Sequence, residues 1–237
     1  MAQVDIGSYT SFDFPALTLE QLEGLARPVR DSRWGLPLER VGELLRPGYL
    51  LMENGLCRLD DGSLEVAVHI DMPGCTAAMW DWWFGWHSYA DERYVIWHPM
   101  GHEKASMLHD WQDAATDKEK YIGNCSTITE NVGTARLENS TVNFVDPAEF
   151  GFDSDELARL GTAICARLGY SPGDCSMGQF IHLFRNLPGG CEQRSRFLLA
   201  GAPESLGREL IVHCVEEYGH LASFLPRLYK EVTGRTR

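Results

Sequence analysis

Apolar and polar residues alternate along Leu64, Glu65, Val66, Ala67, Val68, His69 and Ile70. A period of two marks a strand with one face buried. Asp60-Asp61-Gly62 turns this strand back on residues 55–59. Residues 49–53 read as one more strand, and Asn54-Gly55 after them is a strong hairpin signal. Met72-Pro73-Gly74 closes the group in a loop. Residues 93–98 are β-branched and aromatic and read as a strand with Tyr94, Ile96 and His98 on one face. Pro99-Met100-Gly101 ends it, and His102 follows. Residues 103–120 are polar and irregular, with Trp111 as their anchor. Residues 122–130 and 134–144 pair across the turn Asn131-Val132-Gly133, which completes an antiparallel meander. Ser154 is placed to cap a helix over residues 155–168, closed by Gly169 and followed by Pro172. Residues 177–185 and 194–199 read as strands joined through Pro188-Gly189-Gly190. The final period is helical. Leu206, Leu210, Leu221, Phe224 and Leu228 form one stripe over residues 205–229, with Pro226 marking a kink or an end. Ahead of all this, residues 1–48 form an irregular lead-in with a short helix from the N-cap Thr18 to Ala26. These elements predict an α+β fold in one domain over residues 1–237: an antiparallel sheet curved around the C-terminal helix, with a cavity between them.

Polar groups interrupt the apolar stripe of that helix. His213 and Glu217 are four residues apart and share a face, and His220 falls close to it. An unpartnered polar group on a buried face costs roughly 2–7 kcal/mol. The same spacing makes an ordinary pair on a solvated helix, but apolar residues bracket this pair on its own face. A divalent metal is a partner that such spacing can chelate without backbone strain. Zinc takes three or four ligands from His, Cys, Asp and Glu. The sheet can add His98 or His102, and Glu130 from a strand end. Trp80, Trp82, Trp83 and Trp86 crowd one short stretch. They read either as a core helix, with Trp80, Trp83 and His87 on one side, or as an aromatic wall for a flat ligand, with Trp82, Trp83 and Trp86 contacting it.

Composition narrows the function classes. The formal net charge of -13 disfavours nucleic acid and anionic membranes as partners. No apolar run is long enough to span a bilayer. The start, Met1-Ala2-Gln3-Val4-Asp5, has neither a basic nor an apolar leader region. The seven cysteines are odd in number and form no CxxC, which fits reduced thiols in a cytoplasmic protein. A small aromatic molecule is the expected partner; whether the chain forms a homodimer stays open.

Trp82-Trp83-Phe84-Gly85-Trp86-His87, the run Tyr94 to His102, the run Pro188 to Phe197 and the run His213 to Leu221 together resemble the 2,4-diacetylphloroglucinol hydrolase family, which includes phloretin hydrolase. The motifs extend over roughly residues 50–230. The resemblance implies a helix-grip fold similar to the Bet v 1 plant allergens. It also implies one zinc held by two histidines and two glutamates, and hydrolysis of the carbon–carbon bond between a polyphenol ring and an acyl group. Matched residue by residue, the metal ligands are His102, Glu130, His213 and Glu217, with His98 as the alternative to His102. Tyr94 matches the family's active-site tyrosine, eight residues before the histidine ligand, and His182 matches a histidine suited to proton transfer. Arg194 and Arg196 match a structural arginine motif. Leu198 stands where the family carries tryptophan after the phenylalanine, which predicts a different pocket floor. The chain is also short for the family, and a shortened lid would change substrate choice. Two other readings remain: a metal-dependent cyclase, aldolase or isomerase of an enolic polyketide, and a non-catalytic module that binds an aromatic ligand.

Overall fold

A computed structural model describes residues 5–9 and 14–236. The first four positions of the predicted leaderless start lie outside the described residues. Eight strands form one antiparallel sheet: β1 (Gly55–Arg58), β2 (Leu64–Pro73), β3 (His102–Met107), β4 (Cys125–Val132), β5 (Ala135–Val145), β6 (Gly161–Gly169), β7 (Gly178–Leu187) and β8 (Gly190–Leu199). Their order across the sheet is β1-β2-β8-β7-β6-β5-β4-β3. Among the described residues five α-helices accompany it: α1 (Leu19–Ala26), α2 (Ala77–Phe84), α3 (Asp91–Val95), α4 (Ser154–Leu160) and α5 (Glu204–Thr233). The sheet curves around α5. Ile211, Cys214, Tyr218, Leu221, Leu225 and Leu228 share one core with Leu64, Val66 and Val68 of β2 and with Phe180 and Phe184 of β7. This is the helix-grip arrangement expected: an antiparallel sheet curved around the C-terminal helix.

Both faces of the sheet are covered, and most departures from the expected elements follow from that. β2 reads as half-buried, yet Glu65 and Ala67 are as buried as Val66 and Val68. The lead-in packs on the convex face and closes it over Ala67 and Leu198. Residues 49–53 form no strand, and Asn54-Gly55 turns no hairpin. Residues 52 and 53 lie against the face of the sheet, and Asn54 meets the edge of β2 beyond the end of β1. The Glu53 carboxylate pairs with Arg194 and Arg196, the Met52 carbonyl accepts from Arg196, and Asn54 Oδ1 accepts the His69 N–H at 3.0 Å. Arg194 and Arg196 therefore pin residues 52–53 to the convex face, and Arg194 also holds the lead-in by donating to the Leu44 carbonyl at 2.8 Å, as the structural reading of that motif expects.

The helix predicted over residues 155–168 stops at Leu160, and its cap is Asp153 rather than Ser154. The rest is strand β6. Ile164 and Ala166 face the core around α5, while Ala163 and Cys165 face a second core on the other side. A strand buried on both faces shows no alternation to read. Gly161 makes the switch possible: an added Cβ would lie 1.9 Å from the Phe184 carbonyl oxygen, so only glycine lets β6 join β7 there. Pro226 does not end α5, which runs on to Thr233. Proline leaves the carbonyl four residues back without its helical donor, and the Cys75 thiol donates to that Ala222 carbonyl at 3.5 Å. Trp111 is no anchor, being 36% exposed. The seven cysteines are all unpaired. Among the described residues no helix is long and apolar enough to cross a membrane.

Candidate active site

The segment over residues 93–98 is helical, not a strand. The Ile96 N–H donates to Glu92 O at 3.3 Å, the Trp97 N–H to Tyr94 O at 3.1 Å, and the His102 N–H to His98 O at 2.8 Å. Acidic Asp91 and Glu92 sit in the first turn of α3, where the helix dipole favours them. The aromatic residues that suggested a strand still find a buried surface, but at helical spacing. His102 then opens β3.

Two bulges bring the polar groups together. β3 spends an extra residue, Glu103, between the pairings His102–Glu130 and Lys104–Thr129. β5 spends an extra residue between Ile128–Ser140 and Glu130–Leu137. A bulge re-aims the side chains beside it. Here the first sets His102 directly opposite Glu130. The second keeps Ser140 and Leu137, three residues apart, on the same cavity wall. Asn139, inside the second bulge, has φ +52°, a left-handed conformation that asparagine tolerates.

His102, His213 and Glu217 each bring one ligand atom within 4.8 Å of the others. His102 Nε2 lies 3.3 Å from a Glu130 oxygen and 3.3 Å from a Glu217 oxygen. It nevertheless makes no hydrogen bond, although it is buried. Its Nδ1–H donates to the Tyr94 carbonyl at 3.1 Å, which leaves the Nε2 lone pair facing the carboxylates. Burial and the neighbouring His213 and His98 hold the His102 imidazole well below its ordinary pKa. Burial holds His213 down to about 3. Both rings are therefore neutral donors. The carboxylates are displaced the other way. Glu130 is pushed up to about 7 by burial, and Glu217 well up by burial and the Glu130 charge. Two neutral imidazoles facing two desolvated carboxylates are a donor set that fits a divalent cation. Of the two histidines left open, His102 stands in this cluster. His98 stacks on His213 at 4.6 Å and turns its Nε2 toward Glu216 at 3.2 Å.

Tyr94 stacks flat on His102 at 4.0 Å and donates its hydroxyl to Glu130. Burial and Glu130 push its phenol well above the usual range. A cavity between sheet and helix is lined by Tyr94, Glu130, His213 and Glu217, and also by His182 on β7. His182 Nδ1 lies 2.7 Å from Ser195 Oγ, and burial holds the ring down to about 3. Trp82, Trp83 and Trp86 do not line this cavity. Trp83 packs on His87 and Trp97, and Trp82 on Trp86 and Tyr229. The helical spacing of α2 turns them into the core, and the aromatic wall is Phe84, Trp97, Phe144, Phe180 and Phe197 instead. Leu198 points to the convex face, so the missing tryptophan leaves the cavity floor untouched. Sequence reasoning missed Tyr218, whose ring packs 5.1 Å from that of His182; its place next to Glu217 was the available signal. It also missed Ser126 and Ser140, which alternation with Glu130 along β4 and pairing across to β5 could have placed.

The family model for the DAPG hydrolase PhiG domain matches residues 36–204 and 199–230. The chain belongs to the DAPG hydrolase family. Curated family relatives include a 2,4-diacetylphloroglucinol hydrolase from a Pseudomonas species, 29% identical over 225 residues, covering 82% of this chain and 76% of that one. A phloretin hydrolase from Eubacterium ramulus is 31% identical over 195 residues, covering 72% of this chain and 69% of its own. Among solved structures, Ara h 8.0201 aligns with a TM-score of 0.40 at 10% identity, over 69% of this chain and 96% of that one.

Proposed function

We propose that this DAPG hydrolase family member is a zinc-dependent hydrolase that cleaves the carbon–carbon bond between an acyl group and a polyphenol ring. Kinship with a 2,4-diacetylphloroglucinol hydrolase and a phloretin hydrolase supports the reaction class. One observation carries the metal reading: the buried His102 Nε2, unbonded between two carboxylate oxygens. In this reading His102, Glu130, His213 and Glu217 hold the ion. Bound there, zinc supplies Lewis acidity toward an oxygen of the substrate or of water.

The chain's own residues supply the rest. Phe144, Phe180 and Phe197 hold the flat ring and keep bulk water from it. Tyr94 Oη, fixed against Glu130, and His182, fixed through Nδ1 by Ser195, hold or move the proton that the ring carbon gains. The aryl–acyl bond breaks, the ring carbon takes a hydrogen, and the acyl carbon takes a hydroxyl from water. The products are a free polyphenol and a carboxylic acid in equal amounts. Turnover of an acetylated phloroglucinol in ¹⁸O-labelled water tests this. The expected result is acetate carrying one label, matched mole for mole by deacylated ring. A rearranged ring product without acetate would contradict it and favour a cyclase or isomerase.

A further inference from the structure

The cavity wall made by β4 and β5 carries two hydroxyls that nothing among the described residues uses. Ser126 and Ser140 both line the cavity and are 1% and 4% exposed. Neither Oγ has a hydrogen-bond partner. Other hydroxyls of the same lining are committed. Ser88 bonds the His87 ring at 2.9 Å, and Thr141 bonds the Ser171 carbonyl at 3.0 Å. A buried hydroxyl left unpaired in an apolar cavity is costly, and buried polar groups are nearly always satisfied by protein, water or ligand.

Their placement is ordered. Ser126 pairs across the strands with Val142, and Ile128 with Ser140. The two serines are thus diagonal neighbours on one face, at about 7–8 Å in such a pair. Ser140 is one rung of the cavity face from Glu130, about 7 Å along the strand, and Ser126 is two rungs away, about 13 Å. The β5 bulge is what keeps Ser140 on this wall. The hydroxyls therefore run away from the metal-ligand cluster along the surface on which a ring anchored at that cluster would lie.

We propose that Ser126 and Ser140 form a polar rail that reads hydroxyl or carbonyl substituents on the side of the aromatic substrate remote from the scissile bond. Ser140 takes the first such group and Ser126 one farther out. This rests on the hydrolase reading above, and it narrows the substrate class to acylated rings with a polar group opposite the acyl substituent.

Binding to the full-length chain, measured by calorimetry, tests it. The probes are 2,4,6-trihydroxyacetophenone and 2,6-dihydroxyacetophenone, which differ only in the hydroxyl opposite the acyl group. Wild type is expected to prefer the trihydroxy ligand about tenfold, the worth of one good neutral hydrogen bond. Ser140→Ala should bring the two affinities together while leaving the dihydroxy ligand unchanged. Ser140→Thr, which keeps a hydroxyl, should retain the preference and guards against a folding defect. If wild type binds both ligands and Ser140→Ala keeps the preference, the rail falls and the hydrolase reading stands. Equal affinities in wild type would also overturn the rail. If wild type binds neither ligand, both fall.

Discussion

A side chain at Gly101 would reach the cluster of His102, His213 and Glu217. A Cβ there would sit 2.7 Å from His98 Nδ1, 3.0 Å from the Asn131 carbonyl and 3.1 Å from His213 Cε1. Gly101→Ala must shift the His98 ring, which stacks on His213, and crowds the His213 ring itself. We expect zinc affinity to fall about 10–100-fold, the usual cost of disturbing a ligand's supports, with folding retained. Competition against a chromogenic chelator, alongside circular dichroism, reads both. On the convex face Glu53 offers a second residue-scale test. Burial alone would raise its pKa, but Arg196 and Arg194 outweigh it and hold the carboxyl at about 2, against an ordinary 4.5. A depressed carboxylate contributes stability above its unfolded pKa and loses it as pH falls toward the folded value. Glu53→Gln leaves two buried guanidinium groups short of a charge and should cost about 3 kcal/mol at neutral pH. That difference should be full above pH 4.5 and fade toward pH 2 in urea titrations. A difference independent of pH would contradict the assignment.

At the scale of elements, the bulges do most to shape the site. Asn139 stands in a left-handed conformation that β-branched residues avoid. Asn139→Val should destabilise the chain by about 1–2 kcal/mol, and Asn139→Gly should be near neutral; thermal denaturation separates them. The same elements show what was legible. Long α5 with His213 and Glu217, the capped α1, and the β7–β8 pair across Pro188-Gly189 were readable because their periodicity or turn chemistry is local. β6 and α3 were not. Ala163, Ile164, Cys165 and Ala166 face alternate cores and so look uniformly apolar, and Tyr94, Val95, Ile96 and Trp97 carry β-propensity into a helical turn. Propensity lost in both places to tertiary packing. Bulges leave no local trace at all, which is why His98 and His102 could not be separated by spacing.

For the whole molecule, the sheet serves two cores with different tasks. Its concave side closes on α5 around the cavity, and its convex side carries the arginine–glutamate pairs that clamp the lead-in. The resemblance picked out His102, Glu130, His213 and Glu217 in the sequence, and the fold sets His102 Nε2 3.3 Å from an oxygen of Glu130 and of Glu217, with His213 grouped beside His102 and Glu217. The aromatic wall keeps Phe84 of α2 but otherwise comes from Trp97 and from Phe144, Phe180 and Phe197 of β5, β7 and β8, since the α2 tryptophans pack into the space between α2 and its neighbours. The central claim is that those four side chains hold one catalytic metal ion. Elemental analysis of purified wild type and Glu217→Ala, side by side, tests it most directly. Near-stoichiometric zinc in wild type, with most of it lost in the variant, is the predicted result. Absence of metal from a folded wild-type protein that hydrolyses its substrate, or zinc retained in full by Glu217→Ala, would contradict it.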